Sequence, residues 1–231
     1  GDVLHLIDAG KESHAISCRV GLPTAALLYP INAGSTTSLP LHIPLRETRP
    51  TPQTKTKSWR GCLENTTQLR IPHERMQFLF ESSCRTLWVL TNEDVYPGPF
   101  TYRRFWFRDA CLMLDALSHM NARERVQERL ASFPGRQKND GYFSSQEGEW
   151  DSNGQVIWLL WRIYRLTGRL PDERWKTALK RALKWIERKR LPNDSQKGPP
   201  GLMPAGFSAE HLGPNDFYYW DNLWSLAGLR A

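Results

Sequence analysis

Two charged residues interrupt an otherwise aromatic and aliphatic run near the middle of the chain. Arg108 and Asp109 stand within residues 105–113, where every neighbour is Phe, Trp, Ala, Cys, Leu or Met. An unpaired charge in such surroundings is costly, so each side chain needs a partner. Either they pair with charges on other helices, or they point into a polar cavity, where a guanidinium donates to hydroxyl groups and a carboxylate accepts from them. The residue types leave both readings open.

A second stretch places three carboxylates and a tryptophan just before a strongly apolar segment. The carboxylates are Glu147, Glu149 and Asp151, and Trp150 lies between the last two. Acidic residues at such a position compensate the positive end of a helix dipole and cap its first turn. Alternatively, the same residues line a polar site at the entrance to the helix.

The third stretch holds Asp221 within an aromatic helix start, directly after Tyr218, Tyr219 and Trp220. Burial among such neighbours raises the pKa of a carboxyl, and a raised pKa suits a general acid. The aromatic rings could stack on the apolar face of a sugar. The alternative is a carboxylate that only stabilises a helix N-terminus. Glu210, in the preceding loop, is a competing acid.

Six segments with helical periodicity must position these stretches. Ser152 and Gln155 predict a capping box at the start of the fourth helix, and Gly168 predicts its end. The second, fourth and sixth helices are apolar almost all round, which predicts burial on most sides, whereas the third and fifth carry charged faces. This pattern predicts a mainly α fold built of helical hairpins, in which the buried helix of each hairpin lines a common centre. The predicted helices cover residues 72–91, 105–120, 122–133, 152–168, 171–190 and 217–229.

The residues before the first helix differ in character. Residues 1–47 have an extended pattern, and residues 39–45 alternate with period two, although their prolines restrict them to an edge strand or an arm. Residues 48–58 are polar and lack periodicity, as is typical of a linker. We therefore expect an extended or β segment with its linker at residues 1–58 and a helical domain at residues 59–231.

Composition excludes several classes of protein. The chain has 231 residues, of which 40% are hydrophobic and 24% charged. Its longest strongly apolar run, residues 156–161, is too short to span a membrane. The net charge of +7 is concentrated in residues 174–190, where apolar residues at helical spacing make the basic side chains a solvated face. No nucleic-acid motif accompanies them, so we expect neither a nucleic-acid partner nor a membrane.

The four cysteines are widely spaced and form no CxxC pair, which argues against a zinc site or a disulfide framework. Cys84 and Cys111 fall in apolar helical segments, where buried thiols are common. This usage favours a reducing compartment, and we expect a cytoplasmic protein.

Three segments resemble a known group of enzymes. FWFRDACLMLDAL, residues 105–117, resembles the W-x-R-D-A segment of glucoamylase-like glycoside hydrolases. EWDSNGQVIWLLWRIYRLTG, residues 149–168, is similar to their next inner helix, and residues 201–229 are similar to the segment that opens the third. The wider group is the six-hairpin (α/α)6 toroid glycosidases, which include glucoamylases, glucodextranases, trehalases and debranching α-glucosidases. The resemblance covers residues 59–231 and implies the toroid fold.

By that resemblance the reaction is inverting hydrolysis of an α-linked glucoside, with Asp221 as the general acid and Glu210 as the alternative. The glucoamylases have glutamate where this chain has Asp221, although related toroid α-glucosidases use aspartate. The resemblance implies no metal and no other cofactor. The residues expected to bind the sugar are Tyr102, Trp106, Arg108, Asp109, Trp150, Asp151, Tyr219 and Trp220.

A complete toroid has twelve helices, whereas this chain predicts six. We therefore expect it to be the N-terminal half of the ring and inactive by itself. Inversion needs a second carboxylate about 6.5–9.5 Å from the acid. That base would come from the remainder of its own toroid or from a second chain, and the substrate would be an oligosaccharide or glucoside. Two alternatives stay open: a glycan phosphorylase on the same toroid, and a non-catalytic carbohydrate-binding toroid.

Overall fold

The computed structural model describes residues 58–168, 172–207 and 214–231, apart from the side chain of Arg60, together with residues 32–34, 36, 38 and 40. The chain divides into two units, residues 1–55 and 56–231, and the helices below belong to the second. The described part is mainly helical, with an isolated β-bridge between Gly206 and Asp216. The helices are α1 (Trp59–Leu63), α2 (Glu74–Leu90), α3 (Phe107–His119), α4 (Arg123–Leu130), α5 (Phe133–Arg136), α6 (Ser152–Thr167), α7 (Arg174–Lys189) and α8 (Tyr219–Arg230).

The six predicted helices correspond to α2, α3, α4, α6, α7 and α8, with ends displaced by no more than a few residues. The two short helices α1 and α5 were not predicted. At five and four residues they are shorter than the window in which helical periodicity can be recognised. The mainly helical fold is confirmed.

The predicted capping box at the start of α6 is wrong. The N-cap residue is Asp151, and its side chain makes no capping hydrogen bond. Ser152 donates its hydroxyl to the Phe143 carbonyl in the preceding loop, and Gln155 donates its amide to the N-cap carboxylate of Asp151 over 3.0 Å, so both side chains are engaged elsewhere. The predicted end is confirmed, because Gly168 adopts a left-handed φ of 74°.

Helix α6 packs against three other helices, α8, α3 and α7. Helix α4 packs against α3. Two ion pairs show the relative direction of α3 and α6. Arg108 bonds Asp151 at their N-terminal ends, and Arg162 bonds Asp115 further along both helices. The two helices are therefore parallel and begin at the same end.

An aromatic cluster fills the core behind the start of α3. Phe107, Phe133, Phe143 and Trp175 are fully buried. The Phe107 ring meets those of Phe133 and Phe143 edge to face, with centroids 5.2 and 5.1 Å away. Burying one such side chain contributes about 1.5–3 kcal/mol. Because Phe107 is the first residue of α3, this packing fixes the entrance of that helix.

Helices α6 and α8 approach so closely that glycines are required at their contact. A Cβ on Gly154 would lie 2.1 Å from the carbonyl oxygen of Trp224, and one on Gly228 would lie 2.6 Å from the carbonyl oxygen of Gly154. Both obstacles are backbone atoms, which cannot move aside as a flexible side chain can. The contact holds the first turns of α6 against α8.

The expectation that the sixth helix is buried on most sides is wrong for α8. Its buried residues are Asp221, Ser225 and Gly228, whereas Leu223 is 62% exposed. The reason is geometric, because its main packing partner among the described helices is α6, which covers a single face.

The predicted extended segment, edge strand and linker fall almost wholly outside the described residues. Among the helices that are described, none is both long enough and apolar enough to cross a membrane.

Candidate functional site

The N-terminal ends of α3, α6 and α8 meet at one place. Trp220 donates its indole N–H to Oδ2 of Asp151 over 2.6 Å, and Nε of Arg108 donates to the same oxygen over 2.8 Å. Each helix N-terminus carries a partial positive charge, so the meeting point favours carboxylates. We call the following residues the helix-end cluster: Trp106, Arg108, Glu149, Asp151, Trp220 and Asp221.

Asp151 is the centre of the helix-end cluster. Its Oδ2 accepts three hydrogen bonds, from Arg108, from Trp220 and, over 3.0 Å, from Nε2 of Gln155. The Asp151 carboxylate is buried and the Arg108 guanidinium largely so. A buried ion pair with several further hydrogen bonds is confined to one geometry. Asp151 therefore fixes the direction of the guanidinium.

Glu149 is a second buried carboxylate that contacts Arg108. Its Oε2 accepts a hydrogen bond from the Trp106 indole over 2.9 Å, and its Oε1 lies 3.9 Å from a terminal nitrogen of Arg108. Sequence reasoning did not include Glu149 or Gln155 among the site residues. The signal for Glu149 was its position two residues before Asp151, but compensation of a helix dipole explained that position equally well.

Asp221 lies in the first turn of α8 and is 3% exposed. Burial, reinforced by the negative charge of Asp151, raises the pKa of the Asp221 carboxyl to about 7, against the lowering effects of Arg108 and of a hydrogen bond from the Trp150 backbone. Its Oδ2 has no hydrogen-bond partner among the residues described. The raised pKa predicted from the aromatic neighbours is confirmed. A carboxyl with this pKa holds a proton near neutral pH, as a general acid must.

The loop that precedes α6 is held by buried polar side chains. Asn153 accepts a hydrogen bond from the Phe143 N–H over 2.8 Å and donates to the Ala182 carbonyl over 3.2 Å. The Ser145 hydroxyl accepts from the Phe107 N–H over 2.7 Å. These bonds attach the loop to the first turn of α6 and to the start of α3, and Asn153 also joins α6 to α7. The two carboxylates at its end therefore enter the cluster from a fixed position.

Aromatic side chains form the outer edge of the helix-end cluster. Tyr219 is 86% exposed and Trp220 is 45% exposed. The Arg104 guanidinium lies 3.5 Å from the Trp106 ring centroid, and Tyr102 meets that ring edge-on at 6.3 Å. Arg104 covers one face of Trp106, and the most exposed aromatic residues at this edge are Tyr102, Tyr219 and Trp220.

The structure places the ring of Trp150 in the core rather than at this edge. The indole is buried, with its centroid 5.8 Å from that of Tyr142 and 6.1 Å from that of Trp185. The Lys189 ammonium lies 3.6 Å from the same centroid. Trp150 therefore reaches the cluster through its backbone, by the hydrogen bond to Asp221.

Two further predicted site residues are Asp109, which the structure describes, and Glu210, which it does not. Asp109 lies half-buried in the first turn of α3, and its negative charge contributes to the raised pKa of Cys111, whose main cause is burial. Glu210 lies outside the described residues. The predicted residues that the structure brings together by direct contact or through the Trp150 backbone are Trp106, Arg108, Asp151, Trp220 and Asp221.

The cluster offers acid–base and hydrogen-bonding chemistry. It combines one guanidinium with three buried carboxyl groups, so the cation cannot balance all three charges, and retention of a proton on one carboxyl lowers the repulsion. Across the described parts of the chain, no group of three or more His, Cys, Asp or Glu side chains is arranged to hold a metal ion.

Comparison of the chain with protein-family models, with curated proteins and with solved structures found no match.

Proposed function

We propose that this chain is part of an (α/α)6 toroid glycosidase that hydrolyses α-linked glucosides with inversion. The observation that carries the proposal is the meeting of Arg108, Asp151 and Asp221, from three helices, with the pKa of Asp221 near neutrality. The packing of α4 on α3 and of α7 on α6, as successive helical pairs, supports the toroid. The sequence resemblance of residues 59–231 supports the reaction class.

In this mechanism Asp221 gives its proton to the glycosidic oxygen as the bond from that oxygen to C1 breaks. A water molecule attacks C1 from the opposite face and loses a proton to a carboxylate base. Glu149 is unsuited to that role, because it is buried and engaged with Trp106 and Arg108. We propose that the base comes from the remaining helices of the ring, in the same polypeptide or in a second chain.

The other residues of the site bind the substrate. Arg108 and Asp109 hold the hydroxyl groups of the non-reducing sugar, and Asp151 keeps the guanidinium in place. Tyr102, Tyr219 and Trp220, with exposed ring surfaces, provide stacking contacts at the outer edge.

One observation favours the alternative of a non-catalytic carbohydrate-binding toroid. Asp221 is only 3% exposed, whereas a general acid must touch the glycosidic oxygen. The exposed aromatic edge could bind a sugar even if the carboxyl never reaches it. The two functions predict different outcomes in the experiment that follows.

The test uses the polypeptide in which the ring is complete, with maltose as substrate, and follows anomeric proton signals by NMR. Inversion predicts that β-glucose is released first. We expect Asp221→Asn to lower kcat by about 100- to 10,000-fold, whereas Glu173→Gln, at the exposed N-cap of α7, leaves kcat unchanged. Near-normal turnover by Asp221→Asn would exclude this acid, and Glu210→Gln then tests the alternative.

Two other results would replace the proposed reaction. Release of glucose phosphate only when phosphate is supplied identifies a phosphorylase. Saturable maltose binding without any turnover identifies a carbohydrate-binding toroid.

We also propose that the protein works in the reducing cytoplasm. Cys84 and Cys111 are buried thiols within α2 and α3, an arrangement that suits a reducing compartment.

A further inference from the structure

A groove of about 700 Å³ lies between α1, the C-terminal end of α2 and the start of α4. We call it the α1–α4 groove. Asn121 and Ala122, which line it, follow the C-terminal end of α3, whereas the helix-end cluster lies at the N-terminal end of that helix. The length of α3 places the two roughly 20 Å apart. The volume falls within the range of about 300–1,000 Å³ that is typical of small-molecule sites.

Two tryptophans line the α1–α4 groove. Trp59 of α1 is 45% exposed, and its indole makes no ring contact or hydrogen bond with the other described residues. Trp88 of α2 has its ring beneath Arg125, whose guanidinium carbon lies 4.7 Å from the ring centroid. Trp59 is therefore the ring with an accessible face. An exposed indole beside a cavity provides a flat apolar surface for stacking, with a polar N–H at its edge.

The polar lining includes three neutral carboxamides. Asn65, Asn92 and Asn121 lie around the groove, after α1, α2 and α3 respectively. The Asn121 amide donates a hydrogen bond to the main-chain carbonyl of Asn65 over 3.2 Å, and no described residue bonds the Asn121 Oδ1. The Asn92 Oδ1 accepts a long hydrogen bond of 3.5 Å from Arg125, and the Asn92 amide N–H groups have no partner among the described residues. A carboxamide can both donate to and accept from a hydroxyl group, so three of them suit a ligand rich in hydroxyls.

The charges around the groove do not favour an anion. Arg125 is already engaged, because it donates to the Thr91 carbonyl over 2.8 Å and covers Trp88. Burial lowers its pKa. Arg123 and Glu124 also line the groove and carry opposite charges. Apart from the engaged Arg125, the charges of the lining therefore cancel, which suits a neutral ligand.

We propose that the α1–α4 groove binds a short neutral oligosaccharide. The Trp59 ring stacks on one pyranose face, and the three asparagine side chains bond the sugar hydroxyls. The inference rests on the groove alone and does not require the helix-end cluster to be catalytic. In a polysaccharide hydrolase, a second site at the other end of α3 would keep the protein attached to its substrate between turnovers.

The test uses the 231-residue chain labelled with nitrogen-15 and titrated with maltotetraose and with cellotetraose. The indole N–H signals of Trp59 and Trp220 are assigned through Trp59→Phe and Trp220→Phe. We expect the Trp59 signal to shift saturably with one of the two sugars. Trp59→Ala should weaken that binding by about 10-fold. Asp221→Asn and Trp220→Ala should leave the binding followed at Trp59 unchanged.

The proposal is overturned if neither sugar shifts the Trp59 signal saturably, or if folded Trp59→Ala binds as the wild type does. If Trp59→Ala unfolds, Asn65→Ala and Asn92→Ala, at exposed positions, replace it, and unchanged affinity in both overturns the proposal. The complete protein could fail to hydrolyse maltose while sugar binding at Trp59 persists. That result overturns the proposed reaction but leaves the proposed sugar site in the α1–α4 groove standing.

Discussion

The indole N–H of Trp220 and the carboxylate of Asp151 are 69 residues apart in sequence and lie 2.6 Å apart in the structure. This bond joins the first turn of α8 to the N-cap of α6. Arg108 of α3 donates to the same oxygen, so one atom connects three helices. Because Asp221 follows Trp220 directly, the same bond also helps to place that carboxyl.

Removal of the Asp151 carboxylate should destabilise the fold strongly. Asp151→Ala breaks the buried ion pair with Arg108, for which Glu149 remains at 3.9 Å, and removes the acceptor of three hydrogen bonds. Because three donors lose a buried acceptor, we expect the free energy of unfolding to fall by about 3–5 kcal/mol, measured by urea denaturation. The control is Glu173→Gln, which breaks the exposed pair with Lys176 and should not change the midpoint. Equal midpoints for Asp151→Ala and the wild type would contradict a structural role for the ion pair.

The Asp221 carboxyl should make stability depend on pH. Its pKa is raised from 3.8 to about 7 in the folded state, so the folded protein binds this proton more tightly than the unfolded chain. The bound proton stabilises the folded state fully below the pKa of the unfolded chain, and this stabilisation is lost as the pH rises through about 7. It contributes about 4 kcal/mol at most to the free energy of unfolding. Asp221→Asn lacks this titration. The free energy of unfolding of the variant, relative to the wild type, should therefore increase between about pH 4 and pH 8.

A control of opposite sign is available for that measurement. The hydrogen bond from Arg174 lowers the pKa of Asp172 in the folded state. The ionised Asp172 carboxylate therefore stabilises the fold above the pKa of the unfolded chain, and this stabilisation is lost as the pH falls. Asp172→Asn should therefore approach wild-type stability at acidic pH. A pH-independent difference between Asp221→Asn and the wild type would show that Asp221 titrates normally.

A methyl group at Gly154 should force α6 and α8 apart. The added Cβ would meet the Trp224 carbonyl oxygen at 2.1 Å, so one backbone must shift. We expect Gly154→Ala to lower the free energy of unfolding by about 1–3 kcal/mol or more. Gly135→Ala is the matched control, because a Cβ there meets no atom within 4 Å. Thermal melts compare the two, and equal stability of both variants would rule out the close approach.

The loop before α6 should loosen when Asn153 loses its donor group. In Asn153→Asp, a carboxylate would face the Gly141 and Ala182 carbonyls to which the amide now donates. We expect a loss of about 1–3 kcal/mol and faster hydrogen exchange at the Phe143 amide. The same change at the exposed Asn139 serves as the control. Unchanged exchange at Phe143 would show that other contacts hold the loop.

The helices could be predicted because their signals are local. The end of α6 at Gly168 needs only a residue that tolerates positive φ. The start of α6 could not be predicted as well, because the Ser152 hydroxyl bonds the Phe143 carbonyl and the Gln155 amide bonds the N-cap carboxylate of Asp151, so neither forms the predicted capping box. The partner of Ser152 depends on how a loop folds back, which helical periodicity does not encode.

For the site, sequence alone determined the residue types. Charged residues within an apolar run need partners, and this singled out Arg108 and Asp109. Asp221 was singled out by its aromatic surroundings, and Asp151 as one of three carboxylates before an apolar segment.

Tertiary structure decided which charges meet. It brought Glu149 to Arg108, and it turned the ring of Trp150 into the core. It also left much of the apolar surface of α8 exposed, because that helix packs chiefly on α6. The physical reason is that the need for a partner follows from the residue itself, whereas the partner's identity depends on helix packing between segments distant in sequence.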